Sequence, residues 1–280
     1  MKGINIMGAR MRGRLVAGLG ATAAAVTAIA AVSGMSATAS ASSLKPASAQ
    51  RASTMAAPAA PAAATYTAPK RNLTEGMSGP DVKALQQRLA ALKYYPGPID
   101  SGFGSDTLEA VWAFQEVNRL PVDGVVGPAT KRALVSPHPY KANDPRQAAT
   151  RIEVNLKLGV MVYYKNHAIA LVSHISSGGH YFYCAGGSCN NFAITPTGHF
   201  QALRFVGPGW VQGPLGAMYN PVFFFSGYAI HGELNSAVPV NNVSHGCVRI
   251  PFDIATWFYK QLAISETPGK GTQIYVYNQW

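Results

Sequence analysis

Residues 229–251, AIHGELNSAVPVNNVSHGCVRIP, concentrate side chains that can move protons or form covalent bonds. The stretch holds two His-Gly pairs, at His231 and His245, together with Cys247 and Arg249. A thiol attacks a carbonyl carbon when a base or a local positive field favours its thiolate, and an oriented imidazole is the usual base. The residue types therefore predict nucleophilic chemistry at the sulfur of Cys247.

His231 is the better candidate for the base. His245 lies two residues from Cys247, and side chains at this spacing share a face of an extended chain but seldom meet in line. His231 closes an apolar run and is expected at the end of a strand. The loop after it can return Cys247 to a position opposite His231, so that His245 becomes a neighbour that shapes the pocket.

Three further residues suit acyl transfer. Gly246 lets the backbone approach a substrate closely, and the amides of Gly246 and Cys247 can face a developing oxyanion. Ser244 can donate a hydrogen bond into the same site. Arg249 can hold a carboxylate in a bidentate fork, which suits substrates with free carboxylates.

Residue chemistry alone leaves two other interpretations open. The two histidines, Cys247 and Glu233 could ligate zinc, although the short paired ligand spacings typical of zinc sites are missing. The thiol and the imidazoles could also be ordinary packed side chains. No nucleotide-binding loop, metal signature or cofactor motif is recognisable in the chain, so we expect no cofactor.

The N-terminus predicts export. Four basic residues precede a run of small and apolar residues at 15–35, and small-x-small sites follow it. This pattern is typical of a cleaved signal peptide, which we assign to residues 1–41. A permanent anchor is the alternative, but a span needs about 20 strongly apolar residues, and this run is rich in Ala, Gly and Thr. We expect no stable membrane span after cleavage.

The chain is strongly basic, with a formal net charge of +11. Such an excess favours an anionic surface without identifying it. An exported protein without a dense Lys/Arg run is a poor candidate for binding nucleic acid, and the cell envelope fits better.

The three cysteines also bear on this compartment, because exported cysteines either pair or react. Cys184 and Cys189 are close enough to close a small glycine-containing loop as a disulfide. Two buried or free thiols remain the alternative, since connectivity does not follow from sequence. If the pair forms, Cys247 is the unpaired thiol.

Composition divides the rest of the chain into segments. Residues 42–70, dominated by Ala, Pro, Ser and Thr, predict a flexible linker. Residues 71–135 show helical spacing and a repeated Asp/Gly turn with a helix start, 23 residues apart. They predict a bundle of about three short helices with Val111, Phe114 and Leu134 in its core. Residues 136–150, with three prolines, predict a second linker.

Residues 151–280 change to strand patterns. Apolar residues at every even position from 152 to 164 predict a half-buried strand or a strand pair, continued as a hairpin through Val172. Further strands are expected at 221–230 and 272–277, and one helix at 252–263. A segment of this length and pattern predicts a β-rich sandwich.

The helical segment resembles a known family. GMSGPDVKALQQRLAALKYY, IDSGFGSDTLEAVWAFQ and PVDGVVGPATKRAL are similar to the small peptidoglycan-binding domain attached to many wall hydrolases and transpeptidases. The resemblance implies a wall-binding module at residues 71–135, and deletion of these residues is expected to spare activity on soluble stem peptides. A helical spacer without a ligand is the alternative.

The second segment resembles the L,D-transpeptidase catalytic domain. IHG followed by SHGCVRI is similar to that family's signature, and RIEVNLKLGVMVYY, TPTGHF and GPLGAMYNPVFFFSGYAIHG match the rest of the domain. The implied fold is multidomain, a small all-α three-helix peptidoglycan-binding module followed by a mainly-β L,D-transpeptidase sandwich at 151–280. YFYCAGGSCNN is longer than expected there, and we expect it to form a flap over the cleft.

The resemblance also implies roles for individual residues. Cys247 is the nucleophile, and His231 is the base, oriented by a backbone carbonyl near Gly232. The remaining catalytic positions are His245, Ser244 and Gly246, and the substrate-binding positions are Arg249, Gly232 and Tyr228. Arg249 replaces the Asn of one version of the motif.

The implied reaction joins two peptidoglycan stem peptides, a donor and an acceptor. The thiolate attacks the carbonyl of the third donor residue, a diaminopimelic acid, and expels the terminal D-alanine. The acceptor's side-chain amine then forms a 3→3 cross-link, and carbapenems acylate such sites. Water as acceptor makes the same site an L,D-carboxypeptidase, and an inert thiol leaves a non-catalytic wall-binding protein. The implied location is secreted and cell-wall associated.

Overall fold

The computed structural model describes residues 66–144 and 146–278. The predicted signal peptide and most of the first linker lie outside these residues. The helices of the described part are α1 (Pro80–Ala91), α2 (Ser105–Val117), α3 (Pro128–Val135) and α4 (Phe252–Phe258). No helix in this part of the chain is long and apolar enough to cross a membrane.

Twelve strands follow the first three helices within the described residues. They are β1 (Arg151–Asn155), β2 (Val160–Lys165), β3 (Ala168–His174), β4 (Phe182–Ala185), β5 (Ser188–Phe192), β6 (Gly198–Gln201), β7 (Arg204–Phe205), β8 (Trp210–Gly213), β9 (Gly216–Phe225), β10 (Tyr228–Glu233), β11 (Val248–Pro251) and β12 (Gln273–Tyr277).

Two mixed sheets form a sandwich. One has the strand order β3-β2-β1-β12-β6, and the other has the order β11-β10-β9-β7, with β8 paired to β9. Strands β4 and β5 form a separate hairpin. A single apolar cluster, contributed by both sheets and by α4, fills the space between them. The three-helix module and the mainly-β sandwich predicted from the sequence are both confirmed.

The sequence repeat in the helical module is a repeated hydrogen-bond network around a buried glutamine. Nε2 of Gln86 donates to Asp100 Oδ1 (3.0 Å) and Thr107 Oγ1 (3.2 Å). In the second copy Gln115 makes the equivalent bonds, of 2.8 and 3.2 Å, to Asp123 and a threonine. A buried amide without partners is destabilising, so the recurring Asp and Thr side chains are explained as partners of these glutamines.

Strand β2 is buried on both faces, so the prediction of a half-buried strand is wrong. Met161 and Tyr163 belong to the sandwich core, whereas Val160, Val162 and Val172 belong to the core of the helical module. Because successive strand residues point to opposite faces, the module covers the outer face of the first sheet. Deletion of residues 71–135 would uncover this apolar face, so the expectation that the deletion spares activity on soluble stem peptides does not fit the structure.

The segment predicted as the second linker is irregular but is anchored to β1. The hydroxyl of Tyr140 donates to Glu153 Oε2 at 3.3 Å, and that of Tyr277 donates to the same oxygen at 2.9 Å. Arg151 pairs with the other carboxylate oxygen at 2.7 Å, and both side chains of this ion pair are buried. A buried carboxylate needs such partners, and they fix residues 136–144 on the sheet.

Helix α4 is shorter than the predicted helix at 252–263. It ends at Phe258 and tightens into a 3₁₀ turn over Tyr259–Gln261, as helix ends often do. Two hydrogen bonds then join Ala263 to Thr272 beside β12, with lengths of 2.7 and 2.9 Å. Ala263 thus bonds to the segment before β12 and not to a further turn of the helix.

Candidate active site

Two parallel neighbouring strands bring the predicted reactive residues together. In the register of β10 and β11, His231 lies opposite Arg249. Cys247 directly precedes β11, and the amide of Ala229 donates to its Sγ at 3.4 Å. The strand pairing thus sets Cys247 two residues out of register with His231, on the same face. The expected arrangement, with Cys247 opposite a His231 at the strand end, is corrected: His231 lies inside β10.

A cavity of about 420 Å³ opens at this point. The predicted site residues in its lining are His231, Ser244, His245, Cys247 and Arg249. The turn between β8 and β9, at residues 213–218, forms much of the rest of the wall. The cavity is large enough for a segment of peptide or a small molecule.

The imidazole of His231 is held in one orientation. It is buried, and its Nδ1 lies 3.1 Å from the carbonyl oxygen of Gly232. A carbonyl oxygen only accepts, so Nδ1 carries the hydrogen and Nε2 keeps its lone pair. Burial lowers the pKa of His231 to about 4. The imidazole is therefore neutral near pH 7 and able to accept a proton at Nε2.

The thiol of Cys247 is also neutral at rest. Burial raises the pKa of Cys247, while the Ala229 amide and the charge of Arg249 act in the opposite direction. The thiol lies within 3.9 Å of the Gly227 carbonyl oxygen, to which it can donate. The thiol and the imidazole of His231 are thus both neutral near pH 7, and both line the cavity.

Ser244 and Gly246 bond within their own loop, and not toward a substrate as predicted from the sequence. The amide of Gly246 donates to Ser244 Oγ at 2.9 Å, and the Ser244 hydroxyl donates to the Cys247 carbonyl at 2.6 Å. The Gly246 amide is therefore engaged within the loop and not directed at an oxyanion. Likewise, the Ser244 hydroxyl bonds to the loop's own backbone, so its role is to fix the turn before Cys247.

Glycine at 246 is required by close packing from two sides. A Cβ there would lie 2.4 Å from a ring carbon of Tyr228 and 2.6 Å from the carbonyl oxygen of Ile194. Its φ of 141° also lies in a region that L side chains rarely adopt. Tyr228 thus supports the backbone beside Cys247 and is not part of the cavity lining.

Arg249 supplies positive charge to the cavity. Its Nη1 donates to the carbonyl oxygen of Ala237 at 3.2 Å, and its buried Nε has no hydrogen-bond partner among the described residues. Burial and this charge both lower the pKa of His245. A guanidinium at a cavity wall can hold a carboxylate.

The β4–β5 hairpin contacts the site through aromatic rings. Cys184 and Cys189 form a disulfide across it, and Tyr183 packs edge-on against His245 with ring centroids 4.5 Å apart. Tyr181 contacts the same imidazole at 5.8 Å. The hairpin does not line the cavity; it braces His245. This role was not predicted from the sequence, although Tyr181 and Tyr183 precede the first cysteine at strand spacing.

Thr195, in the TPTGHF segment, is a second missed residue. Its hydroxyl donates to the Gly246 carbonyl at 2.8 Å and accepts from the Gly178 amide at 2.9 Å. These bonds hold the turn before Cys247 against the end of the first sheet. The motif was visible in the sequence, but the hydroxyl's partner was not.

A zinc site is not formed by the residues that the structure describes. No group of three or more His, Cys, Asp or Glu side chains among them is arranged to hold a metal ion. His231 and Glu233 approach each other, with 3.7 Å between Nδ1 and Oε1, but Nδ1 faces the Gly232 carbonyl.

Known proteins resemble the chain in both of its domains. Residues 149–276 match the L,D-transpeptidase catalytic domain family, and residues 78–134 match a peptidoglycan binding domain family. The crystal structure of an L,D-transpeptidase from Xylanimonas cellulosilytica superimposes with a TM-score of 0.66 and 32% identity, covering 75% of this chain and 99% of that one. The chain therefore belongs to the L,D-transpeptidase family.

Curated relatives match a shorter part of the chain. A spore cortex-lytic enzyme of Bacillus cereus is 40% identical over 78 residues, which are 28% of this chain and 30% of that protein. The N-acetylmuramoyl-L-alanine amidase CwlL of Bacillus licheniformis is 43% identical over 66 residues, 23% of this chain and 18% of that protein. The chain thus spans less than a third of the length of either relative.

Proposed function

We propose that this protein is a peptidoglycan L,D-transpeptidase that forms 3→3 cross-links through a cysteine acyl-enzyme. One observation carries the proposal. Cys247 and His231 line one cavity, and the bond from His231 Nδ1 to the Gly232 carbonyl leaves Nε2 as a proton acceptor. A thiol and an oriented neutral imidazole that line one cleft are the components of nucleophilic acyl transfer.

The first half-reaction forms a thioester. Sγ of Cys247 bonds to the carbonyl carbon of the third donor residue as the thiol proton passes to His231 Nε2. The tetrahedral intermediate collapses by breaking the C–N bond to the terminal D-alanine. That amine leaves with the proton from His231, which returns the imidazole to its neutral form.

The second half-reaction transfers the acyl group. The side-chain amine of an acceptor stem attacks the thioester carbonyl, a C–N bond forms and the C–S bond breaks. The amine proton passes through His231 to the departing sulfur, and the enzyme returns to its resting state. Water in place of the amine gives an L,D-carboxypeptidase.

Two groups are assigned to hold the substrate. Arg249 binds a carboxylate of the stem peptide, since its guanidinium brings positive charge to the cavity wall. The amide of Cys247 is the remaining candidate for the oxyanion, because the Gly246 amide is engaged with Ser244. His245 completes the wall and is braced by Tyr183.

The proposed location is the cell wall outside the membrane. Residues 1–41 direct export, residues 42–70 form a tether, and residues 71–135 bind peptidoglycan beside the catalytic domain at 151–280. Support comes from the family match at 78–134 and from relatives named as cortex-lytic and amidase enzymes. At such a location the donor and acceptor stems are both at hand, and carbapenems reach Cys247.

Incubation with disaccharide-tetrapeptides, followed by mass spectrometry, tests the reaction. We expect a cross-linked dimer that has lost one D-alanine. Tripeptide alone would identify a carboxypeptidase, and unchanged substrate would leave a wall-binding protein. Cys247→Ala is the matched control, and it should form neither product while keeping its fold.

A further inference from the structure

A chain of buried hydrogen bonds connects the helical module to the candidate site. Glu116, on α2, lies 2.8 Å from His174 on β3, between Oε1 and Nδ1. The Nε2 atom of His174 lies 3.2 Å from the carbonyl oxygen of Val238. The side chains of His174 and Glu116 are 0% and 5% exposed. The acyl-transfer steps above use neither residue.

Val238 belongs to residues 234–243, which connect β10 to the turn before Cys247. The preceding carbonyl, that of Ala237, accepts the 3.2 Å hydrogen bond from Arg249 Nη1. Ala237 and Val238 are neighbours in the chain, so fixing one carbonyl limits where the other can point. The hydrogen bond from His174 to Val238 therefore restricts the backbone that Arg249 contacts.

Glu116 and His174 form a dyad that shares one proton, as their hydrogen-bond donors and acceptors show. The Val238 carbonyl can only accept, so Nε2 of His174 carries a hydrogen. Nδ1 then either donates to the Glu116 carboxylate or accepts from the protonated carboxyl. Both arrangements place one proton between the two side chains, and both leave the bond to Val238 intact.

The surroundings confine the dyad to one geometry. A Cβ on Gly159, whose φ is +75°, would lie 2.7 Å from Glu116 Oε1, so the carboxyl fills the space that glycine leaves. The ring of Trp112 packs edge-on against His174, with centroids 5.4 Å apart. Neither side chain can turn away without displacing a packed neighbour.

We propose that Glu116 and His174 are positioning residues that align Arg249 for a substrate carboxylate. The helical module then contributes to substrate selection through residues 234–243, in addition to any binding of the wall. This inference rests on the proposed function, because it takes Arg249 as the group that holds the carboxylate of the stem peptide.

The test compares two tetrapeptide stems as donors for the full chain. One carries a free carboxylate on the side chain of its third residue, and the other carries the carboxamide. We expect the wild-type kcat/KM to favour the carboxylate by about tenfold, as for a charge-assisted hydrogen bond. Arg249→Gln should remove that preference.

Variants of the dyad should reduce the same preference. His174→Phe keeps the ring but removes both hydrogen bonds, and Glu116→Leu removes the partner of Nδ1. Each should lower the carboxylate preference to about twofold, whereas His174→Gln, which keeps a donor for Val238, should stay near the wild-type value. In combination with Arg249→Gln, His174→Phe should have no further effect on the preference.

Val172→Ala is the matched control, because Val172 lies on the same strand and in the same inter-module core. It should lower the melting temperature and leave the preference unchanged. A folded His174→Phe with the wild-type preference would overturn the inference. So would an equal loss in Val172→Ala, or a failure of both dyad variants to fold, since either result indicates a purely structural role. A wild-type protein inactive on both stems would overturn the proposed function itself, and this inference with it.

Discussion

Neutrality of the Cys247–His231 pair determines how the thiol should react with small reagents. Burial raises the pKa of the Cys247 thiol and lowers the pKa of His231 to about 4. Near pH 7 neither group is charged, so the sulfur does not rest as a thiolate beside an imidazolium. In the proposed reaction, the thiol becomes reactive when its proton passes to His231 during attack on the substrate.

The rate of alkylation by iodoacetamide measures the protonation state of the Cys247 thiol directly, because the reagent reacts with the thiolate. We expect the alkylation rate of Cys247 to remain low through neutral pH and to rise only in the alkaline range, because burial raises the pKa of its thiol. Cys247→Ala controls for other sites. An inflection below pH 7 would show a resting ion pair and would contradict the neutral pair.

For single residues, the sequence predicted which side chains are reactive but not the direction in which each hydrogen-bond donor points. Cys247 and His231 were predicted from their chemistry, and the two lie in one cavity. The Gly246 amide and the Ser244 hydroxyl were expected to face the substrate, yet each bonds within the loop. Direction depends on backbone torsions such as the positive φ at Gly246, which residue identity alone does not specify.

The two faces of the β4–β5 hairpin have different surroundings. Tyr183 and Phe182 are adjacent on β4 and therefore point to opposite faces. Tyr183 packs against His245, whereas Phe182 is 72% exposed and contacts Phe192 on the neighbouring strand. Only one face of the hairpin bears on the site.

Substitution of these neighbours should separate the two faces. We expect Tyr183→Ala to lower kcat/KM for the tetrapeptide donor by about tenfold, because His245 loses the ring that holds it in place. Phe182→Ala, on the same strand, should stay within about twofold of wild type, as surface changes usually do. Equal losses in both variants would mean that the hairpin acts as a whole and would contradict the bracing role of Tyr183.

The strands of the first sheet show how far element prediction extends. The alternation over 152–164 correctly predicted a strand pair, yet Met161 and Tyr163 between the even positions are also buried. A continuous apolar run indicates burial on both faces but does not identify what covers the second one. The second face of the sheet is covered by α2, and this long-range contact cannot be predicted from a local sequence pattern.

For the whole molecule, the buried face of α2 links stability to pH. Burial and neighbouring acids raise the pKa of Glu109 to about 9, burial raises that of Glu116 to about 7, and burial with a bond to Asp253 raises that of Asp106 to about 6. Raised folded-state pKa values favour the folded protein at low pH. This stability should be lost progressively as pH rises from about 5 to 9.

Glu109 dominates the alkaline part of this range, since both of its carboxyl oxygens are buried without hydrogen-bond partners among the described residues. Glu109→Gln should therefore raise the free energy of unfolding at pH 8 by at least about 1 kcal/mol, and should change it little at pH 5. Thermal unfolding at the two pH values measures the difference. Exposed Glu75→Gln is the control, and an equal gain from it would contradict the burial argument.

The central claim, that Cys247 carries an acyl group from the wall, is tested most directly by trapping the intermediate. The enzyme is mixed briefly with a tetrapeptide donor, quenched in acid, digested and mapped by mass spectrometry. We predict a thioester adduct of the donor without its terminal D-alanine on the peptide that contains Cys247. Release of D-alanine without that adduct, or with an adduct on another residue, would contradict the account.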